Sequence, residues 1–162
     1  AVTAATGMDA LTHAVEAYLG YWGTATTDRM ALAAVGMIYE HLPVAFRDGA
    51  DLGARERMAL ASTYAGLAFT RANVGNVHAL AHQLGGLYHT PHGLANAIML
   101  PPVLRFSRDK VVPKLAVLAQ RARLGHEGEP EDELAQRFLD SVEAMNRALG
   151  IPRQRLNRAL SP

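Results

Sequence analysis

The stretch His78-Ala-Leu-Ala-His82-Gln-Leu-Gly-Gly-Leu-Tyr-His89-Thr-Pro-His92-Gly93 carries four of the chain's seven histidines. His78 and His82 are four apart, so a helix projects them from one face, one turn above the other. Val77, Ala79, Leu80, Ala81 and Leu84 surround them, which predicts a mostly buried helix. One buried imidazole is ordinary. Two on one stripe require partners: a metal, a carboxylate or backbone carbonyls. Gly85-Gly86 predicts the end of this helix, and Pro91-His92-Gly93 predicts a turn opening the next. His92 then sits on a separate element that can fold back toward His78.

Upstream, residues 7–19 have helical period, with Leu11, Val15, Tyr18 and Leu19 on one stripe. Asp9 and His13 are four apart on that helix. Alone, the pair reads as an acid near the helix start and a half-buried imidazole; beside a second His-x-x-x-His helix it reads as part of a site. The segment 20–24 breaks the helix. Thr26-Thr27-Asp28 predicts a cap for a helix running to about His41, before Pro43, with His41 in the favourable last turn. A polar loop at 47–53 precedes an Ala-rich helix over about 54–71, and Asn73-Val74-Gly75-Asn76 predicts a kink.

Downstream, Leu94 to Leu100 is nearly all apolar and so central, and Pro101-Pro102 predicts a stop or kink. Helices are expected over about 111–123 and 130–149, with solvated His126 in the loop between them. Arg153 to Pro162 looks like the start of another helix. No segment shows convincing period-two alternation, and there is no repeat or low-complexity tract. The expectation is an all-α helical bundle.

The 162 residues, 49% of them hydrophobic, suffice for one core and one domain. A net charge of +1 with mixed signs argues against a nucleic-acid or membrane-surface partner. The absence of cysteine excludes disulfides, thiolate metal sites and cysteine nucleophiles, so any metal must be held by nitrogen and oxygen. There is no apolar run long enough to span a bilayer and no signal peptide, which predicts a cytoplasmic protein. The opening Ala1-Val2-Thr3 and the ending Leu160-Ser161-Pro162 lack start and stop signals, so both ends are expected to be cuts in a larger protein.

Asp9, His13, His78 and His92, one carboxylate and three imidazoles on three elements, form a sensible ligand set for a divalent transition metal. Fe(II) and Zn(II) both suit it, and ligand softness does not choose between them. The site is expected to carry about one net positive charge, enough to polarise a substrate oxygen. His82, a turn from His78, lies where a proton relay or an outer hydrogen-bond donor would lie. Glu16 reads preferentially as an exposed helix glutamate, with orientation of a ligand as the alternative. His89 is either a gate at the cleft mouth or a solvated loop side chain. Asn73 and Asn76 shape the kink.

These residues resemble a known family, the iron-containing (group III) alcohol dehydrogenases. Gly7-Met-Asp9-Ala-Leu-Thr-His13-Ala-Val-Glu-Ala-Tyr18 is similar to that family's first metal signature. Asn76-Val-His78-Ala-Leu-Ala-His82-Gln-Leu-Gly-Gly86 through Pro91-His92-Gly93 is similar to the second, and Asn96-Ala-Ile-Met-Leu-Pro101 also matches. The resemblance implies that Asp9, His13, His78 and His92 are the metal ligands and that His82 stands beside substrate and nicotinamide, as a proton-transfer group. It implies oxidation of alcohols or reduction of aldehydes and ketones with NAD or NADP, the metal polarising the oxygen during hydride transfer. It implies an all-helical C-terminal domain of the dehydroquinate synthase-like type, in a homo-oligomer. The N-terminal α/β dinucleotide-binding domain, with its Gly-rich phosphate loop, is not in this sequence. Leu80, Leu84, Ile98 and Met99 are candidate apolar walls of the hydride path, or plain core.

Three other readings compete. The sister maleylacetate reductases typically have asparagine where Asp9 stands, which argues for a metal-independent site there. A metallohydrolase wants a carboxylate base, for which Glu16 is the only candidate. A purely structural ion stapling the bundle has no use for His82.

Overall fold

The computed structural model describes residues 1–152 and shows six helices and no strand among them: α1 (Val2–Leu19), α2 (Ala25–Arg47), α3 (Leu52–Ala72), α4 (Asn76–Tyr88), α5 (His92–Arg121) and α6 (Glu131–Ala148). The expected helix from Arg153 onward lies outside the described residues. Helix α1 packs on α2, α3 and α5, and α5 packs in turn on α4 and α6. That central role explains why α1 is buried on most sides, with Met8, Leu11, Ala14 and Val15 inaccessible to solvent. Helix α3 offers Ala61, Ala65, Ala68 and Ala72 to the core, small residues that let helix axes approach closely. Helix α6 is the most clearly two-faced, burying Leu134, Phe138, Leu139 and Val142 while Glu131, Asp132 and Glu133 complement the dipole of its first turn.

Several boundaries depart from the sequence expectations, each for a tertiary reason. Helix α1 starts at Val2 rather than at residue 7, because Ala4 and Gly7 are buried against the bundle; a Cβ on Gly7 would overlap the Leu42 side chain. The cap of α2 is Thr24, in a reciprocal capping box with Thr27, rather than Thr26 to Asp28. The same helix runs through Pro43 to Arg47, so His41 is not in its last turn and the dipole argument for it lapses. Helix α4 continues through Gly85-Gly86 and ends at His89, which adopts the left-handed conformation and donates its N–H to the carbonyl of Gly85. Glycine weakens a helix without ending it when φ stays negative.

Pro101-Pro102 does not stop α5. Proline at 101 cannot donate to the carbonyl of Ala97, and the buried Asn146 amide of α6 donates to that carbonyl instead at 2.6 Å. The break falls later, at Val111 (φ −132°, ψ 17°), in the turn before Pro113. Just beyond it Lys114 donates to the carbonyl of Tyr18 at 2.8 Å, placing a cation at the negative end of α1. So the helix that carries Asp9 and His13 is anchored at its far end by α5.

Candidate metal centre

Three helices converge on one point. Helix α1 supplies Asp9 and His13 one turn apart, α4 supplies His78 from its first turn, and α5 supplies His92 as its first residue. One ligand atom from each lies within 4.8 Å of all the others. His13 Nε2 is 2.9 Å from His78 Nε2, and Asp9 Oδ1 is 3.5 Å from His92 Nε2 and 3.9 Å from His78 Nε2. A tetrahedron of bonds of about 2.1 Å has edges of about 3.4 Å, so these spacings suit a single small divalent cation. The sequence-predicted ligand set is thus brought together as a set. Its burial is graded: the side chain of His78 is 3% exposed, that of Asp9 20% and that of His92 47%, so the cluster opens to solvent on the His92 side.

Glu16 is the main correction to the sequence reading. Instead of lying exposed, it is buried one turn beyond His13 and accepts from His78 Nδ1 at 2.6 Å, from the backbone N–H of Val77 at 2.6 Å and from that of His78 at 3.4 Å. Two consequences follow from one carboxylate. It caps the N-terminus of α4, where Gly75 has no side chain to do so, and a Cβ at Gly75 would sit 2.9 Å from Glu16 Oε1. It also draws the His78 proton to Nδ1, which leaves the Nε2 lone pair facing the cluster. Burial alone pushes the Glu16 carboxyl up, but the bond from His78 and the N–H groups at the start of α4 outweigh it and hold it below the usual range.

His13 stacks on Phe69 of α3 with ring centroids 4.3 Å apart, which fixes its plane. Burial lowers its pKa; the Asp9 charge opposes this, and the neighbouring His78 and His92 reinforce it. Because its folded value lies below the ordinary 6.5, acid protonates the unfolded chain first and stability is lost as pH falls below that value. Glu16, held below 4.5, contributes stability that is likewise lost only under more acid conditions. The metal-free protein is expected to lose stability in both windows in denaturant titrations, and Glu16→Gln to retain the first loss and diminish the second. A flat profile between about pH 7.5 and about pH 5.5 would exclude the His13 contribution.

His82 is exposed, its ring 5.9 Å from that of His78 and stacked 5.4 Å from that of His92. His89 caps α4 and His126 is exposed in its loop. Leu80 and Met99 line an apolar groove with Ala79, Pro102, Val103 and Phe106, while Ile98 lines another beside Arg105 and Asn146; neither groove includes a residue of the ligand set. For two residues the sequence reading missed the role at the site. Gly93 lets α5 touch α1, since a Cβ there would lie 2.5 Å from the carbonyl oxygen of Ala5. Asn96, inaccessible to solvent, points its amide at Asp9, His78 and His92. Its position four residues after His92 on one helix was the available signal.

The sequence model of the Fe-containing alcohol dehydrogenase family, C-terminal, matches residues 3–159. The chain belongs to this family. A 1,3-propanediol dehydrogenase from Klebsiella pneumoniae is 45% identical over 152 residues, covering 94% of this chain and 39% of that protein. Alcohol dehydrogenase 4 of Saccharomyces cerevisiae (strain ATCC 204508 / S288c) is 43% identical over 155 residues, again 94% of this chain and 39% of the relative. Among solved structures, a 1,3-propanediol oxidoreductase superposes with a TM-score of 0.92 at 43% identity, over 98% of this chain and 41% of its own. An alcohol dehydrogenase from Oenococcus oeni gives 0.92 at 34% identity, over 99% and 42%. The all-helical architecture is therefore that of the C-terminal part of the Fe-containing alcohol dehydrogenases, and the chain spans about two fifths of the length of these relatives.

Proposed function

We propose that this chain is the metal-binding part of an NAD(P)-dependent alcohol dehydrogenase, acting on a small alcohol or aldehyde. The observation that carries the reading is the convergence of Asp9, His13, His78 and His92 from three helices onto one point, open on one side and bordered there by His82. Asp9, His13, His78 and His92 would hold one divalent ion, Fe(II) or alternatively Zn(II). When bound, the ion supplies a Lewis acid for the substrate oxygen. Charge supports a dication: Asp9 and Glu16 together balance it, so the buried cluster closes near neutrality rather than at the net positive charge expected from the ligands alone.

The chain's own residues divide the remaining work. Glu16 keeps the His78 Nε2 lone pair turned inward. Phe69 holds the His13 ring. His82, exposed beside the cluster and outside the candidate ligand set, would carry a proton between the reacting oxygen and solvent through its ring nitrogens. Its presence beside the cluster favours this reading over an ion that only staples the bundle. The hydrolase reading is disfavoured because its one candidate base, Glu16, is bonded to His78 and to the start of α4. NAD or NADP and the substrate would meet the cluster from its open side, with the dinucleotide held by a part of the protein outside this sequence.

The test is NAD(P)-linked oxidation of a series of primary alcohols by the iron- or zinc-loaded protein that carries this chain, wild type beside His82→Ala. The expected result is activity in the wild type and a fall in kcat of about 100-fold or more in His82→Ala at unchanged metal content. No activity with either metal and either nucleotide would overturn the function, and an unchanged kcat would overturn the role of His82.

A further inference from the structure

Asn96 holds a carboxamide at 0% exposure against three of the four candidate ligands. Its Nδ2 is 2.6 Å from Asp9 Oδ1, 3.0 Å from His92 Nε2 and 3.1 Å from His78 Nε2. An ionised carboxylate only accepts, so the amide nitrogen, not the oxygen, must face Asp9. His78 donates through Nδ1 to Glu16, so its Nε2 is likewise an acceptor here. The other end of the amide, Oδ1, is buried with no hydrogen-bond partner among the described residues. A buried carbonyl without a donor is unfavourable, so packing alone gives no reason for an amide at this position of α5. What the amide provides is a pair of N–H bonds aimed at the atoms that would hold the ion.

We propose that Asn96 is a positioning residue for the metal, assembling the ligand atoms of Asp9, His78 and His92 before the ion arrives. The inference rests on the metal-binding reading above. The amide hydrogens occupy the place of positive charge between converging lone pairs, so three acceptors that would otherwise repel one another stay turned to one point. With an ion held by the imidazole lone pairs, Asp9 Oδ1 would still have a second lone pair through which to accept from Asn96. Asn96 then orients the one anionic ligand, and it does so from the same helix as His92, which couples the two ligands through a single rigid element.

Cobalt(II) is the probe, since its visible absorption reports the geometry of its ligands. Metal-free wild type, Asn96→Leu and Asn96→Ala are titrated with Co(II), and folding is followed by circular dichroism. Asn96→Leu keeps the volume and Asn96→Ala the helix propensity, so at least one is expected to retain the wild-type helical signal. The folded variant is expected to bind Co(II) about 10- to 100-fold more weakly and with an altered visible spectrum. A residue that only stabilises the helix would lower the melting temperature and leave the spectrum unchanged. A folded variant with wild-type affinity and spectrum overturns the role of Asn96 while leaving the metal site standing. Failure of the wild type to bind Co(II) overturns the metal reading and this inference with it.

Discussion

Replacing Glu16 with alanine is expected to weaken metal binding about 10- to 100-fold, although Glu16 is not among the ligands. The side chain accepts three bonds at the junction of α1 and α4. Without it the Val77 and His78 N–H groups and the His78 ring nitrogen lie buried with no acceptor, at a cost of about 1–3 kcal/mol for each group left unmade. Some relaxation and water entry will recover part of that, so a loss of about 3 kcal/mol is a fair expectation. At roughly 2–4 °C per kcal/mol for a domain of this size, Tm falls by about 10 °C. Glu16→Gln separates the two roles. Its amide oxygen can still accept from the backbone of α4, so most of the stability returns. Its NH2 group, facing His78 Nδ1, forces the ring proton to the other nitrogen, and the Nε2 lone pair is lost to the ion. Calorimetry and metal competition on the same samples should show stability recovered and affinity still reduced. Recovery of both by Glu16→Gln would show that the carboxylate does not set the His78 tautomer.

Gly93→Ala is the second large effect, and it too replaces none of the candidate ligand residues. The added Cβ would stand 2.5 Å from the Ala5 carbonyl oxygen, 2.9 Å from the Ala5 carbonyl carbon and 3.3 Å from Asp9 Cβ. The nearest atoms are backbone, which cannot swing aside, so the N-terminus of α5 must withdraw from α1. His92 is the residue before Gly93 and travels with it. Metal–ligand bonds tolerate only about ±0.2 Å, so a shift approaching an ångström removes His92 from the set. Affinity is expected to fall at least tenfold, by analogy with disruption of outer contacts at metal sites. The control is Gly86→Ala on the exposed side of α4, where a Cβ meets nothing within 4 Å. That substitution should leave metal affinity unchanged and raise stability by about 0.5–1 kcal/mol through helix propensity. Equal effects at Gly86 and Gly93 would show that the close approach of α5 to α1 does not shape the site.

The two substitutions also mark where the sequence was readable. Asp9 and His13, a carboxylate and an imidazole four apart, and His78, four before His82, stood out because such pairs on apolar helices have few uses, while His92 stood out in the turn at Pro91-His92-Gly93 that can fold back toward His78. The helices themselves followed from the same periodicity. Their ends did not. Pro101 reads as a stop until Asn146, far along the chain, is seen donating to the carbonyl that proline leaves free. Gly85-Gly86 reads as a terminus until the helix is seen to continue to the left-handed His89. Glu16 and Asn96 are residue types at home on any helix surface. Only the arrangement of α1, α4 and α5 shows that both are buried against the ligands. Local pattern names the candidate ligands, and long-range packing decides what orients them.

Metal content tests the central claim most directly. Elemental analysis of the freshly purified wild-type protein should find about one iron or zinc per chain, and Asp9→Ala and His78→Ala should each lose it while keeping their helical circular dichroism, because a site short of one of its four protein ligands no longer holds the ion tightly. A wild-type protein that holds no iron or zinc, even after anaerobic loading with Fe(II) or Zn(II), would contradict the account.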